Sequence, residues 1–361
     1  MVFVRKWQRV NPIEPLIIDG HNDVLTQLMR AGGLSAAESF INGSDHHIDL
    51  PKARAGGLAG GFFAIWVPSP DDGIDYQELM CNPPYDIPLP REVSQADALA
   101  VAMEEAAILI HLQAQGALQV CTSARDIRDC MAKGMLAAIM HMEGAEAIDP
   151  DFHVLEVLYQ AGLRSLGPVW SRPTIYGDGV PFRFPSSPDI GGGLTDKGIQ
   201  LVRRCNNLNI LIDLSHISEA GFNDVAKHSC HPLIASHSNS HKLCEQARNL
   251  TDRQLAIVAE SDGLVGLNFA TAFLSPDGKM QPQLSLDLML RHLDYMIDIL
   301  GEDGVALGSD FDGAVVPEEI SNAAGLPRLR EAMTSHGYNK VLMKKLCHGN
   351  WLRVLEKTWG V

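Results

Sequence analysis

The stretch Leu16-Ile17-Ile18-Asp19-Gly20-His21-Asn22-Asp23 decides how this chain is read. Its apolar run reads as a buried strand. Residues two apart on a strand face the same way, so His21 and Asp23 can point together at one metal ion. A lone His-x-Asp recurs by chance in many sequences. Its weight here comes from other apolar runs in the same chain that also end in metal-ligand or acid–base residue types.

Working outward, eight apolar runs of strand length stop at Gly or polar residues. They are Leu16-Ile18, Gly61-Val67, Met135-Met140, Leu163-Val169, Ile210-Leu214, Pro232-Ala235, Leu264-Phe269 and Val305-Leu307. Helical patterns with recognisable start signals lie between most of them. Ser94 precedes an Ala-, Leu- and Ile-rich stretch to about Gly116, Thr195 precedes Gly198-Asn207, and Ser218 precedes Glu219-Lys227. Thr251-Asp-Arg-Gln254 forms a capping box, and Leu284 to Leu300 has near-helical apolar spacing that Gly301 stops. Strand then helix, repeated about eight times, predicts an α/β fold, a (β/α)8 TIM-like barrel with long loops at its C-terminal face, in one domain over 1–361. The competing open doubly wound sheet lacks its Gly-x-Gly-x-x-Gly after the first strand. Two excursions stand out: Pro68 to Pro90, whose six prolines predict a long loop without regular helix, and the Gly-rich Pro173 to Gly193.

The 361 residues suffice for such a barrel or for two ordinary domains, and a hydrophobic fraction of 46% argues against a disordered chain. A formal charge of -15 disfavours nucleic acid and anionic membranes as partners. No stretch approaches the roughly 18 uncharged apolar residues of a membrane span. Arg5, Lys6, Arg9 and Glu14 leave no long apolar region for a secretory signal in Met1 to Pro15. The seven cysteines are scattered and without CxxC spacing, which suits reduced thiols in the cytoplasm. Any metal is therefore held by His and carboxylates.

Five strands end in candidate chemistry: His21 and Asp23, His141-Met142-Glu143, Asp213-Leu-Ser-His216, Ser236-His237-Ser238, and Asp310-Phe-Asp312. In a barrel all five converge on one face. His21, Asp23, Glu143, His216 and His237 exceed what one tetrahedral catalytic zinc needs. They suit two metals about 3.5–4 Å apart, bridged by a carboxylate, which polarise a carbonyl and generate hydroxide at neutral pH. The natural division puts His21 and Asp23 on one ion, His216 and His237 on the other, and Glu143 between, leaving Asp310 as base or proton shuttle. Zinc fits these ligands best, and manganese or iron would use the same residue types. His141, on the strand face of Glu143, competes as a ligand. His46, His47, His228, His231 and His241 read as surface or supporting histidines. Asp19 and Asp213 read as groups that orient a ligand by hydrogen bonding. The chain has no Gly-x-Ser-x-Gly elbow to make Ser236 or Ser238 a nucleophile.

Taken with Met142-Glu-Gly144, Leu211-Ile-Asp-Leu-Ser-His216, Ala247-Arg-Asn249 and Gly308-Ser-Asp-Phe-Asp-Gly313, these motifs resemble the membrane (renal) dipeptidase family, peptidase family M19, of the amidohydrolase-like barrels. The matches run in the family's order over most of the chain, and Gly349-Asn350 with Leu352-Arg353-Val354 resembles its C-terminal segment. The resemblance implies a binuclear-zinc dipeptidase, commonly a homodimer, acting on small dipeptides that often carry a C-terminal D-residue. It implies the same five ligands, Asp310 as the acid–base group, and Arg248 as the arginine that holds the substrate carboxylate. Two positions depart from the family. Trp170 stands where mammalian members place a substrate-contacting histidine, with Arg172 close by as a substitute donor, and Phe273 replaces a tyrosine near the substrate carboxylate. The absence of a signal and an anchor resembles bacterial-type cytoplasmic members. These departures keep two other readings open, an amidohydrolase for another small amide such as an N-acyl amino acid or a biosynthetic intermediate, and a barrel that binds its ligand without catalysis.

Overall fold

The computed structural model describes residues 15–71 and 73–360. Residues 1–14, read above for an export signal, lie outside the described residues. The eight strands β1 (Ile17–Asn22), β2 (Leu58–Trp66), β3 (Leu136–Glu143), β4 (Leu163–Gly167), β5 (Leu211–Ile212), β6 (Ile234–Ser238), β7 (Leu264–Asn268) and β8 (Val305–Gly308) coincide with the eight apolar runs. Parallel ladders join β1 through β5 in order, and a second set joins β6, β7 and β8. A further parallel strand, Leu118–Val120, pairs with the start of β3.

These two arcs close into a barrel at two seams, where the ladder shrinks to single bridges. Asp213 bridges Ile234 between β5 and β6, and Asn22 bridges Phe311 between β1 and the end of β8. Buried carboxylates take over where backbone pairing stops. Asp213 Oδ1 accepts the amide N–H groups of Ser236 (2.7 Å) and Ser215 (3.1 Å). Across the other seam, Asp19 accepts the Ser309 amide at 2.6 Å and the Ser309 hydroxyl at 2.7 Å. Each carboxylate thus satisfies backbone donors that would otherwise be buried without partners.

Strand alternation sorts the side chains. Leu136, Ala138, Met140 and Met142 of β3 join the outer core under the helices, while Ala137 and Ile139 turn into the barrel with His141 and Glu143 above them. At the lower end Ile18, Phe62, Ile139, Leu211, Ile234, Leu264 and Ala306 form an apolar plug with Trp351 of the C-terminal helix Asn350–Trp359. Gly20, Gly266 and Gly308 make room for it, because a Cβ on any of them would collide with the Ser236 carbonyl, and on the first two would also crowd the Trp351 ring.

The expected caps form: Ser94 on Gln95–Ala114, Thr195 on Asp196–Leu208, Ser218 on Glu219–His228 and the Thr251–Gln254 box on Asp252–Glu260. Each contributes about 1 kcal/mol. The first excursion departs from expectation, since it contains the short helix Tyr76–Met80, capped by Asp75. The prolines flank this stretch and do not interrupt it, so one turn can form. Beyond it Tyr85–Asp86 pairs antiparallel with Arg183–Phe184, tying the two excursions together over the barrel mouth.

Candidate active site

The ends of β1, β3, β5 and β6 bring the five expected ligands into contact. His216 Nε2 lies 3.0 Å and His237 Nε2 3.3 Å from Glu143 Oε1, whereas His21 Nε2 lies 3.6 Å from the other oxygen, Oε2. Asp23 Oδ2 is 3.3 Å from His21 Nε2. The Nε2 atoms of His216 and His237 approach to 3.1 Å, and the rings of His21 and His237 stack at 3.9 Å. All five residues are buried. The sets His21, Glu143, His237 and His21, Asp23, Asp310 each have the spacing of cation ligands.

This donor set fits divalent metal. Both ring nitrogens of His21 are buried without a hydrogen-bond partner, an expensive arrangement for a group with nothing to bind. The other two rings are oriented from behind: Ser171 Oγ sits 2.8 Å from His216 Nδ1, and Ser236 Oγ sits 2.7 Å from His237 Nδ1, so each Nε2 lone pair faces Glu143. Ser236 itself donates to Asp213 Oδ2 at 2.5 Å, which makes the hydroxyl an orienting group and not a nucleophile. Electrostatics agree. Burial, with the nearby positive charges of Arg248 and His21, holds His216 and His237 well below the usual imidazole range. Burial also opposes charge on His21, but the carboxylates of Glu143 and Asp23 outweigh it and push that ring up to about 10. Burial raises Glu143 well above the usual carboxylate range. Such a knot of destabilised charges is relieved by a bound cation.

Asp310 stands beside this cluster. Asn268, at the end of β7, donates to its Oδ2 at 2.9 Å, and burial raises its pKa. Its backbone is left-handed (φ 60), as are His216 (69) and Asp312 (70), conformations that non-glycine residues adopt at a cost. Gly313 completes the turn, since any Cβ there would strike the carboxylates of Asp23 and Asp310. His47 braces the turn from outside: Asp312 accepts its amide at 2.6 Å and returns its own amide to His47 Nδ1 at 2.9 Å.

Above the cluster opens a cavity of about 430 Å³. Trp170 and Phe273 both line it; Phe273 stacks on Phe182 at 6.0 Å, and Trp170 leans over His216 at 5.6 Å. Arg248 is buried just behind this lining, 5.9 Å from the Phe273 ring, with its Nη atoms on Ser238 Oγ (3.0 Å) and the His237 carbonyl (2.9 Å) and its Nε without an acceptor. Arg172 lies elsewhere. Its guanidinium is fully buried and committed to Glu146 Oε1 (2.8 and 3.0 Å), Ser69 Oγ (2.8 Å) and the Val67 carbonyl (2.9 Å), and it does not line the cavity. It ties together the loops that follow β2, β3 and β4.

His141 is buried a layer below the ligands, with Nδ1 3.0 Å from Ser165 Oγ and Nε2 3.5 Å from Asp213 Oδ2. Sequence reading missed Ser171, Asn268, Glu146 and the cavity residues Trp66 and Phe182. Asn268 had a usable signal, because it is the polar side chain inside the seventh apolar run, Leu264-Phe269.

The sequence pattern of the family described as membrane dipeptidase (peptidase family M19) matches residues 7–360. A metallo peptidase from Rhodobacter sphaeroides, solved with a phosphinate mimic of the dipeptide L-Ala-D-Ala, superposes with a TM-score of 0.93 at 50% identity, covering 95% of this chain and 99% of its own. An uncharacterized protein in the pqqA 5' region of Klebsiella pneumoniae is 46% identical over 265 residues, 73% of this chain and 98% of that one. An amidohydrolase from Pseudomonas aeruginosa shares the fold, with a TM-score of 0.73 at 20% identity over 96% of this chain and 97% of its own.

Proposed function

The chain belongs to the membrane dipeptidase family, peptidase family M19, and is a metallo-dipeptidase; from that premise we propose that it cleaves small dipeptides, including those with a C-terminal D-residue, with two zinc ions. The observation that carries this reading is the split of Glu143: one oxygen faces His21, the other faces His216 and His237. His21 and Asp23 would hold one ion, His216 and His237 the other, with Glu143 shared. Bound there, the ions would polarise the scissile carbonyl and make water acidic enough to attack it.

The chain's own residues supply the rest. Arg248 is placed to hold the dipeptide's carboxylate, since its Nε is a buried donor lacking an acceptor and a guanidinium fork suits that group. Asp310 takes the proton of the attacking water and returns it to the leaving nitrogen. Its burial favours the protonated form needed for the second half of that task. Trp170 and Phe273 shape the apolar wall of the cavity, against which the small D-side chain of a C-terminal residue would rest. An N-acyl amino acid, whose acyl group would take the place of the N-terminal residue, is the alternative substrate. We place the enzyme in the cytoplasm as a homodimer of single barrel domains. The seven free cysteines support a reducing compartment, and among the described residues no helix is long and apolar enough to cross a membrane.

The test is zinc titration of chelator-stripped protein, assayed on matched L-L and L-D dipeptides and an N-acyl amino acid. Dipeptide turnover should return and level off at two equivalents. A plateau at one equivalent would sink the binuclear site, and turnover of the acyl amino acid alone would sink the dipeptide.

A further inference from the structure

Four residues of one helix face line the cavity: Asp23, Thr26, Gln27 and Arg30, spaced by three, four and seven along the helix Val24–Arg30. The face runs from the metal cluster outward, so Arg30 stands about 10 Å along the helix from Asp23. Its guanidinium lies 6.0 Å from the ring of Trp66, at the end of β2, and makes no ion pair among the described residues. The rest of the lining carries carboxylates, from Asp71 at the rim to Asp310 at the floor, and Arg30 is its one cation among the described residues.

The Arg30–Trp66 pair is a built platform. Glu105, fully buried on the helix Gln95–Ala114, accepts the Thr26 hydroxyl on one carboxyl oxygen and the Trp66 amide on the other, both at 2.7 Å. One carboxyl thus bolts the helix that carries Arg30 to the strand that carries Trp66. Trp170 braces the Trp66 ring edge-on at 5.2 Å. A guanidinium resting on an indole keeps its N–H edge free to fork a carboxylate.

Position gives this platform its ligand. In an eight-stranded barrel β2 lies across from β6, and Arg248 follows β6. A dipeptide held by its carboxylate at Arg248 therefore presents its N-terminal residue to Arg30 and Trp66. We propose that this rim is a carboxylate subsite and that the enzyme favours dipeptides whose N-terminal residue is glutamyl or aspartyl, an inference that rests on the dipeptidase reading above.

The experiment compares kcat/KM for L-Glu-D-Ala and its uncharged isostere L-Gln-D-Ala on the zinc-loaded full chain. The wild type should favour the glutamyl substrate by about fivefold, mostly through KM, as expected of a partly solvated ion pair, and roughly 0.5 M salt should erode the preference. Arg30→Gln should bring the ratio near one, Arg30→Lys should keep part of it, and Arg30→Glu should favour L-Lys-D-Ala instead. Melting curves taken alongside show that each variant is folded. If both dipeptides are cleaved but the wild-type ratio is one or less, or Arg30→Gln leaves it unmoved, the subsite is wrong and the dipeptidase stands. If no dipeptide is cleaved, the dipeptidase reading fails and takes the subsite with it.

Discussion

Below the level of Gly20 the barrel interior holds Ile18, Phe62, Ile139, Leu211, Ile234 and Trp351, with no carboxylate or imidazole among them. Above it the same strands turn His21, His141, Glu143, Asp213 and His237 inward, equally buried. The lower set gains from leaving water, at about 25 cal/mol for each Å² of apolar surface. The upper set loses by it, and shows the loss in the partnerless ring nitrogens of His21 and in the raised pKa of Glu143. The contrast teaches that the two ends divide stability and chemistry between them. An alteration at one end should leave the other's property nearly intact.

The largest expected effect breaks the chemistry alone. Glu143→Gln should lower kcat/KM by about 10⁴-fold, roughly 5.5 kcal/mol, and empty the metal site. Because burial already disfavours the Glu143 charge, the metal-free variant should melt no lower than metal-free wild type. Metal analysis, turnover and melting together check this, and a lower melt would contradict the division.

Trp351→Ala tests the opposite end. It removes a fully buried indole that contacts Phe62 at 4.7 Å and donates to the Leu307 carbonyl at 3.0 Å. A loss of about 3–5 kcal/mol in denaturant titration is expected. Metal content per folded molecule should hold; its loss would show that the plug also shapes the site.

The smallest effect separates the halves by pH. His292, buried behind the upper loops, accepts the Ser240 amide on Nδ1 (3.2 Å) and donates from Nε2 to the Leu274 carbonyl (3.1 Å). Burial holds it down at about 4, so between that value and about 6.5 the unfolded chain binds a proton that the folded chain does not. Its stabilisation is therefore present above about 6.5 and fades as pH falls, by about 2 kcal/mol between pH 6.5 and 5. Urea titrations at the two pH values should show a shallower loss for His292→Gln, and an identical loss would remove His292 from the account.

All eight barrel strands were legible as apolar runs, and five of them end at polar candidate residues. β5 is shorter than its run, Ile210-Leu214, since Asp213 replaces the ladder there with its side chain. Asp19 and Asp213 were expected to make hydrogen bonds, but their role at the seams depends on partners up to 290 residues away, which spacing cannot show. The candidate ligands stood out because they sit at those strand ends. Ser171 did not, because a serine bears no mark of the ring it orients until the fold supplies it. Arg172 read as a spare donor because its partner Glu146 is assigned only by packing. Glu105 did leave a trace, as a lone carboxylate on the buried face of an Ala-, Leu- and Ile-rich helix.

The two seams also bear on how the chain folds. Within β1–β5 and within β6–β8 each strand pairs with the next barrel strand along the chain. Closing the ring joins Asp19 to Ser309, 290 residues apart, a contact expected late because so long a loop must close first. Four of the five candidate ligands lie in or just after strands of the first arc and His237 belongs to the second, so the set is complete only when the two arcs meet. Metal is therefore expected to slow unfolding while leaving the refolding rate unchanged, the signature of an interaction made after the folding barrier.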